Sequence, residues 1–170
     1  MKKLLTITLV LVITLLGACS EAPSSKPEFG KTYDVNEGEA FDIVGKDGAN
    51  GEVFTANVTI SNIEFVENVS DNENYSFITY DLIINNTSDV EILSGYFGSA
   101  NFNVYDENGT EVYAVVGSLG DYKSANIRPE GSNSGKMSLM FDKGEKPAQL
   151  IYSSYFLNKD TGNEYVIDLQ

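Results

Sequence analysis

From residue 32 onward, apolar side chains recur at every second position, the period of a pleated strand. Tyr33-Asp34-Val35 and Phe41-Asp42-Ile43-Val44 read as two short edge strands, and residues 45–51 as a glycine-punctuated turn. The longest strand signal covers residues 53–66. Phe54, Ala56, Val58 and Ile60 alternate in one phase, then Ile63 and Phe65 continue in the other. That flip predicts a β-bulge or bend at Ser61-Asn62, which re-aims the side chains beyond it. After a polar loop at residues 67–74, residues 75–85 are apolar on both faces, as a central strand requires. Asn85-Asn86-Thr87-Ser88 ends that strand.

Phe102 and Val104 lead into Asp106-Glu107-Asn108-Gly109-Thr110, a hairpin turn, and Val112, Ala114 and Val116 give the return strand an inward face. A three-residue loop with Gly109 in the left-handed region places Val104 opposite Val112 and Phe102 opposite Ala114. A two-residue loop would instead set Val104 against Tyr113 and split the aliphatic face, so the three-residue loop is expected. Met137, Leu139 and Phe141 alternate after Pro129-Glu130-Gly131, and residues 149–157 and 165–169 supply the last strands. No helical periodicity exceeds two turns. Seven to eight short strands separated by turn signals make an all-β chain, an antiparallel β-sandwich over residues 32–170.

The N-terminus has a different pattern. Met1-Lys2-Lys3 precedes an apolar run at residues 4–16, too short for a membrane span of about 20 residues and suited to a cleaved export signal. The run closes on Leu16-Gly17-Ala18-Cys19, which resembles the lipobox of bacterial lipoproteins: an aliphatic residue, two small residues, then the lipidated cysteine. The resemblance implies a signal peptide over 1–18, lipid attachment at Cys19 and a location on the extracytoplasmic face of the cell membrane. Two acyl chains suffice for stable anchoring, at about 0.8 kcal/mol per buried methylene. Residues 19–31, rich in Ser, Pro and charge, read as a flexible lipidated tether.

Cys19 is the single cysteine, so the folded domain has no disulfide and rests on its apolar core. The formal charge is −14, from 11 basic and 25 acidic residues. A field of that sign repels phosphate backbones and anionic headgroups, which disfavours nucleic acid as a partner. The chain has no histidine, which removes Ser-His-Asp and Cys-His catalysis and His-based metal sites. Gly95-Tyr96-Phe97-Gly98 and Gly117-Ser118-Leu119-Gly120 lack the spacing and the lysine of a phosphate cradle. Paired carboxylates remain possible by inventory. Asp71-Asn72-Glu73 and Asp106-Glu107-Asn108 offer hard oxygen ligands to calcium, without the EF-hand spacing.

The strand ending in Asn85-Asn86-Thr87-Ser88, the FNVYDENG run at 102–109 and the GKMSLMF run at 135–141 resemble the telokin-like domain of Gram-positive secreted proteins and lipoproteins, related to the mycobacterial immunoprotective extracellular antigen. The resemblance implies an immunoglobulin-like sandwich in the envelope, and it implies no biochemical activity. The family usually has Pro-Gly before its last matched strand, where this chain has Pro129-Glu130-Gly131.

The expected function is therefore a lipid-anchored binding module of the bacterial envelope. It is expected to be no enzyme, to need no cofactor, and to take an envelope protein or glycan as partner. The alternative is a carboxylate-dependent hydrolase or calcium-dependent glycan binder. The candidate interaction loop is residues 87–99, where Tyr96 and Phe97 sit between two glycines. Aromatic anchors on an adaptable loop suit recognition. The opposing reading folds both rings onto the open end of the sandwich, and burial separates the two.

Overall fold

A computed structural model describes residues 30–46, 51–67, 73–154 and 162–169. The signal peptide at 1–18, Cys19, most of the tether, and Asp71 and Asn72 lie outside these residues, as do parts of the expected turns at 45–51 and 67–74 and of the last interstrand loop.

The strands are β1 (Thr32–Asp34), β2 (Ala40–Lys46), β3 (Val53–Val66), β4 (Tyr75–Asn86), β5 (Ile92–Leu93), β6 (Phe102–Asp106), β7 (Glu111–Val112), β8 (Val115–Val116), β9 (Asn126–Ile127), β10 (Ser132–Asp142), β11 (Pro147–Ser153) and β12 (Glu164–Asp168). Eight run three residues or more, and the other four are two-residue pieces. One sheet has the order β1-β12-β11-β6-β7, the facing sheet β2-β3-β4-β10-β8, and β5 pairs with β9 as a small ribbon. This is the β-sandwich that the alternation predicts. The expected edge strands, β1 and β2, do lie at edges, and β4 is central. Pairing is antiparallel except between β1 and β12, which run parallel.

The inward phase of β3 and β4 forms the floor of the core: Phe54, Ala56, Val58 and Ile60 face the same interior as Ile78, Tyr80, Leu82 and Ile84, and all are buried. Each such side chain contributes on the order of 1.5–3 kcal/mol through removal from water. Between the sheets runs an aromatic chain. Tyr165 stacks on Phe41 at 4.3 Å and on Tyr33 at 5.6 Å, and Tyr152 meets Phe102 edge-on at 5.1 Å.

The bulge falls where the phase flip predicts it. The β3–β4 register slips between Ser61 and Glu64, with Asn62 at φ 51°. Asn tolerates this left-handed conformation, and its amide is held by Asp81 Oδ2 at 2.7 Å. The hairpin register is also as expected: Gly109 has φ 75° and Val104 pairs with Val112. The return strand then departs from expectation. The β6–β7 ladder ends at Val112, so Phe102 has no partner at Ala114. The chain crosses at Tyr113 and Ala114 to the other sheet, where Val115 and Val116 pair with Met140 and Leu139. Changing sheets breaks the alternation and leaves Val116 64% exposed instead of inward.

The domain also begins earlier than its first strand. Gly30 donates to the Gly162 carbonyl at 2.9 Å and Lys31 to Asn163 Oδ1 at 3.1 Å, so the last two tether residues are already bound to the sandwich.

Candidate functional site

The loop carrying Tyr96 and Phe97 is packed. Its two short 3-10 turns, Ser94–Phe97 and Ser99–Asn101, lie across the open side of the sandwich. Phe97 is 0% exposed and meets Phe54 edge-on at 6.2 Å, while half-buried Tyr96 stacks flat on the same ring. Of the two readings that the sequence offers for this loop, the burial favours the one in which the rings fold back and pack. Phe54 lies over Gly45, where a Cβ would come within 2.2 Å of the ring, and so turns toward the loop. Gly98 has an ordinary φ of −73°, and at Gly95 a Cβ would come within 2.6 Å of Ser124 Oγ, which would have to rotate aside.

Hydrogen bonds fix the loop from both ends. Asn86 Nδ2 donates to the carbonyls of Val90 and Ile127, at 2.7 and 2.9 Å, and its Oδ1 accepts from Ser88. Ser94 Oγ accepts from the Ala125 amide and from Asn133 Nδ2, both at 2.8 Å. Tyr122 closes the network on the Ser94 carbonyl at 2.9 Å.

The acidic turn is likewise occupied by its own backbone. Asp106 Oδ1 accepts from the amides of Thr110 at 2.7 Å and Asn108 at 2.9 Å, and these bonds hold its carboxyl below the usual range. Turn-making is the ordinary work of Asp at such a position. Among the described residues, no group of three or more His, Cys, Asp or Glu stands close enough to hold a metal ion.

What the sequence reading missed is a cleft at the end of the sandwich where β1 crosses to β2. It has a volume of about 400 Å³. Ile63, Phe65 and Leu169 supply apolar surface, while Asp34, Glu37 and Asp168 bring carboxylates; among the described residues no Lys or Arg lines it. The bulge at Asn62 creates it. Phe65 pairs with Ile78, whose side chain is in the core, so the slip turns Phe65 to the inward side of the sheet. There, past the end of the packed interior, it stays 45% exposed. Glu37 reaches back to accept the Ile63 amide hydrogen bond at 3.0 Å. The phase flip was legible in the sequence, but the convergence of residues 34–37, 63–65 and 168–169 depends on the parallel pairing of β1 with β12.

Among the described residues, no helix is long and apolar enough to cross a membrane. No protein-family model and no curated protein matches the chain. Solved structures share its fold. The yjhA protein of Bacillus subtilis superposes with a TM-score of 0.53 at 16% identity, over 79% of this chain and 99% of its own. An uncharacterized β-sandwich protein of Clostridium difficile 630 gives 0.46 at 19% identity, over 85% and 99%. The secreted protein MPT63 of Mycobacterium tuberculosis gives 0.50 at 12% identity, over 81% and 98%. At such identities the likeness to the yjhA protein and to MPT63 is one of fold alone.

Proposed function

We propose that this chain is a lipid-anchored, extracytoplasmic binding module of the bacterial cell envelope, with no catalytic activity of its own, and that the cleft beside Phe65 is its binding site. The observation that carries the reading is the cleft of about 400 Å³ at this end of the sandwich, where Ile63, Phe65 and Leu169 meet the acids Asp34, Glu37 and Asp168. Concave sites with apolar walls and a few convergent polar groups are where proteins hold ligands. The anchor rests on Leu16-Gly17-Ala18-Cys19.

Two measurements test this reading. The wild type should be cleaved and partition into detergent, whereas Cys19→Ser should stay unprocessed, at higher mass; equal, cleaved and aqueous behaviour of both would end the anchoring half. For the binding half, the lipid-free chain is used as bait on solubilised envelope, beside Phe65→Ser. A partner held by the wild type and lost by the variant, at unchanged melting temperature, is the expected result. A partner held equally by both would remove the cleft from the proposal.

A further inference from the structure

The cleft has a second feature beside its wall. β2 ends at Ala40, opposite Thr59, whereas β3 runs on to Val66. From Ser61 onward β3 is therefore paired with β4 on one side and has no strand on the other among the described residues. In an antiparallel ladder each residue turns both its N–H and its C=O to one neighbour, and the next residue turns to the other. Thr87 donates to the Thr55 carbonyl at 3.1 Å, which fixes the parity before the bulge. After it, Glu64 and Val66 pair with Thr79 and Phe77 of β4. Ile63 and Phe65 then address the open side. The Ile63 amide confirms this, because it donates outward to Glu37 Oε1. Glu37 thus stands where the carbonyl of another strand would stand, and the Ile63 carbonyl and both backbone groups of Phe65 form an edge with no strand beside it among the described residues.

We infer that this edge accepts a short, extended, basic peptide segment of a partner protein as an added strand, with its alternate Lys or Arg side chains entering the cleft. This rests on the binding-module reading and names its ligand. An open strand edge is a template for pairing, and edge addition takes affinity from main-chain bonds and specificity from pockets for alternate side chains. The inward phase of the edge is the phase of Ile63 and Phe65, so every second side chain of an added strand faces the cleft. There it meets apolar wall for a Lys or Arg stem, and Asp34, Glu37 and Asp168 for its charge. Charge complementarity commits the occupant: among the described residues the lining has three carboxylates and no Lys or Arg, on a chain of formal charge −14.

The test uses the lipid-free chain and three synthetic eight-residue peptides: one alternating Lys with Val, one alternating Glu with Val, and the first with its edge-facing amides N-methylated. Binding is followed by backbone NMR. The Lys peptide should bind and shift the amides of residues 34–37 and 62–66. N-methylation, which keeps the charge and removes the donors, should weaken binding about tenfold or more, and the Glu peptide should not bind. Asp34→Asn combined with Asp168→Asn should weaken the Lys peptide and flatten its salt dependence. Equal binding of the N-methylated peptide would overturn strand addition and leave a cleft that reads charge alone. Shifts confined to β7 or β8 would overturn the placement. If no peptide binds while Phe65→Ser still abolishes envelope capture, the peptide inference is overturned and the module reading stands. If both fail, both are overturned.

Discussion

The phenol of Tyr165 on β12 donates to the backbone carbonyl of Asp42 on β2, 2.6 Å away, and ties the two sheets together at their edge. The acceptor belongs to an edge strand, and Phe41 beside it stacks on the same ring. Tyr165→Phe keeps the stack and strands the Asp42 carbonyl, so it should cost about 1–2 kcal/mol, read as a lower urea midpoint at unchanged slope. A midpoint equal to wild type would show that the inter-sheet bond is replaced by solvent.

Buried phenols also set the alkaline limit. Burial raises the pKa of Tyr80, Tyr122, Tyr152 and Tyr165 above the ordinary 10.0. The unfolded chain therefore releases these protons first. Their contribution is complete below the unfolded value of 10.0 and is lost as pH rises through the higher folded values. Urea midpoints should be flat up to about pH 9 and fall beyond about pH 10. Tyr80 Oη has no hydrogen-bond partner among the described residues, so Tyr80→Phe should be neutral or stabilising by about 1 kcal/mol and should blunt that fall. A steeper fall in the variant would contradict the assignment.

Phe97 and Tyr96 should separate cleanly. Phe97→Ala removes a fully buried ring and should cost about 3–5 kcal/mol, with a large drop in melting temperature. Tyr96→Ala, half-buried on the Phe54 ring, should cost about half as much. Neither should alter peptide binding at the cleft. Loss of binding with stability intact would restore the loop as a recognition surface.

The turn before β10 carries a residue out of its preferred conformation. Gly131 donates to the Arg128 carbonyl at 2.9 Å, and Glu130 between them has φ 62°. Glycine adopts that region without penalty, and a side chain costs roughly 1–2 kcal/mol there. Glu130→Gly should accordingly stabilise the fold by about 1 kcal/mol in a thermal melt, despite the greater freedom it gives the unfolded chain. A lower melting temperature would mean that the entropic term wins.

Much of this architecture is local enough to be legible in the sequence. Period-two alternation exposes β3, β4 and β10, the phase change at Ser61-Asn62 exposes the bulge, and the aliphatic face of the hairpin selects its register. What is not local stays hidden. The parallel pairing of Thr32 with Glu164 joins residues 132 positions apart, and no pattern within either segment announces it. The change of sheet at Tyr113 and Ala114 is equally silent, because two-residue strands are too short to show a period. The glycines around Tyr96 and Phe97 suggest freedom, yet neither has a positive φ, and the rings between them are held by the Phe54 ring across the sandwich. The cleft depends on the first of these, the pairing of β1 with β12, and so its acids read as scattered surface charge.

The parallel pairing of β1 has a mechanical consequence. The chain enters β1 at Gly30 and Lys31, bonded to Gly162 and Asn163, and leaves it at Val35, whose amide bonds the Val166 carbonyl at 2.9 Å beside the cleft. Were a ligand seated near Phe65 to pull against the chain entering at Gly30, the load would run along β1. Its bonds to β12 are then loaded in shear, all together, and do not peel one at a time. The entry of the chain and the mouth of the cleft lie at opposite ends of one strand, so the same short ladder that shapes the site also carries the pull placed upon it.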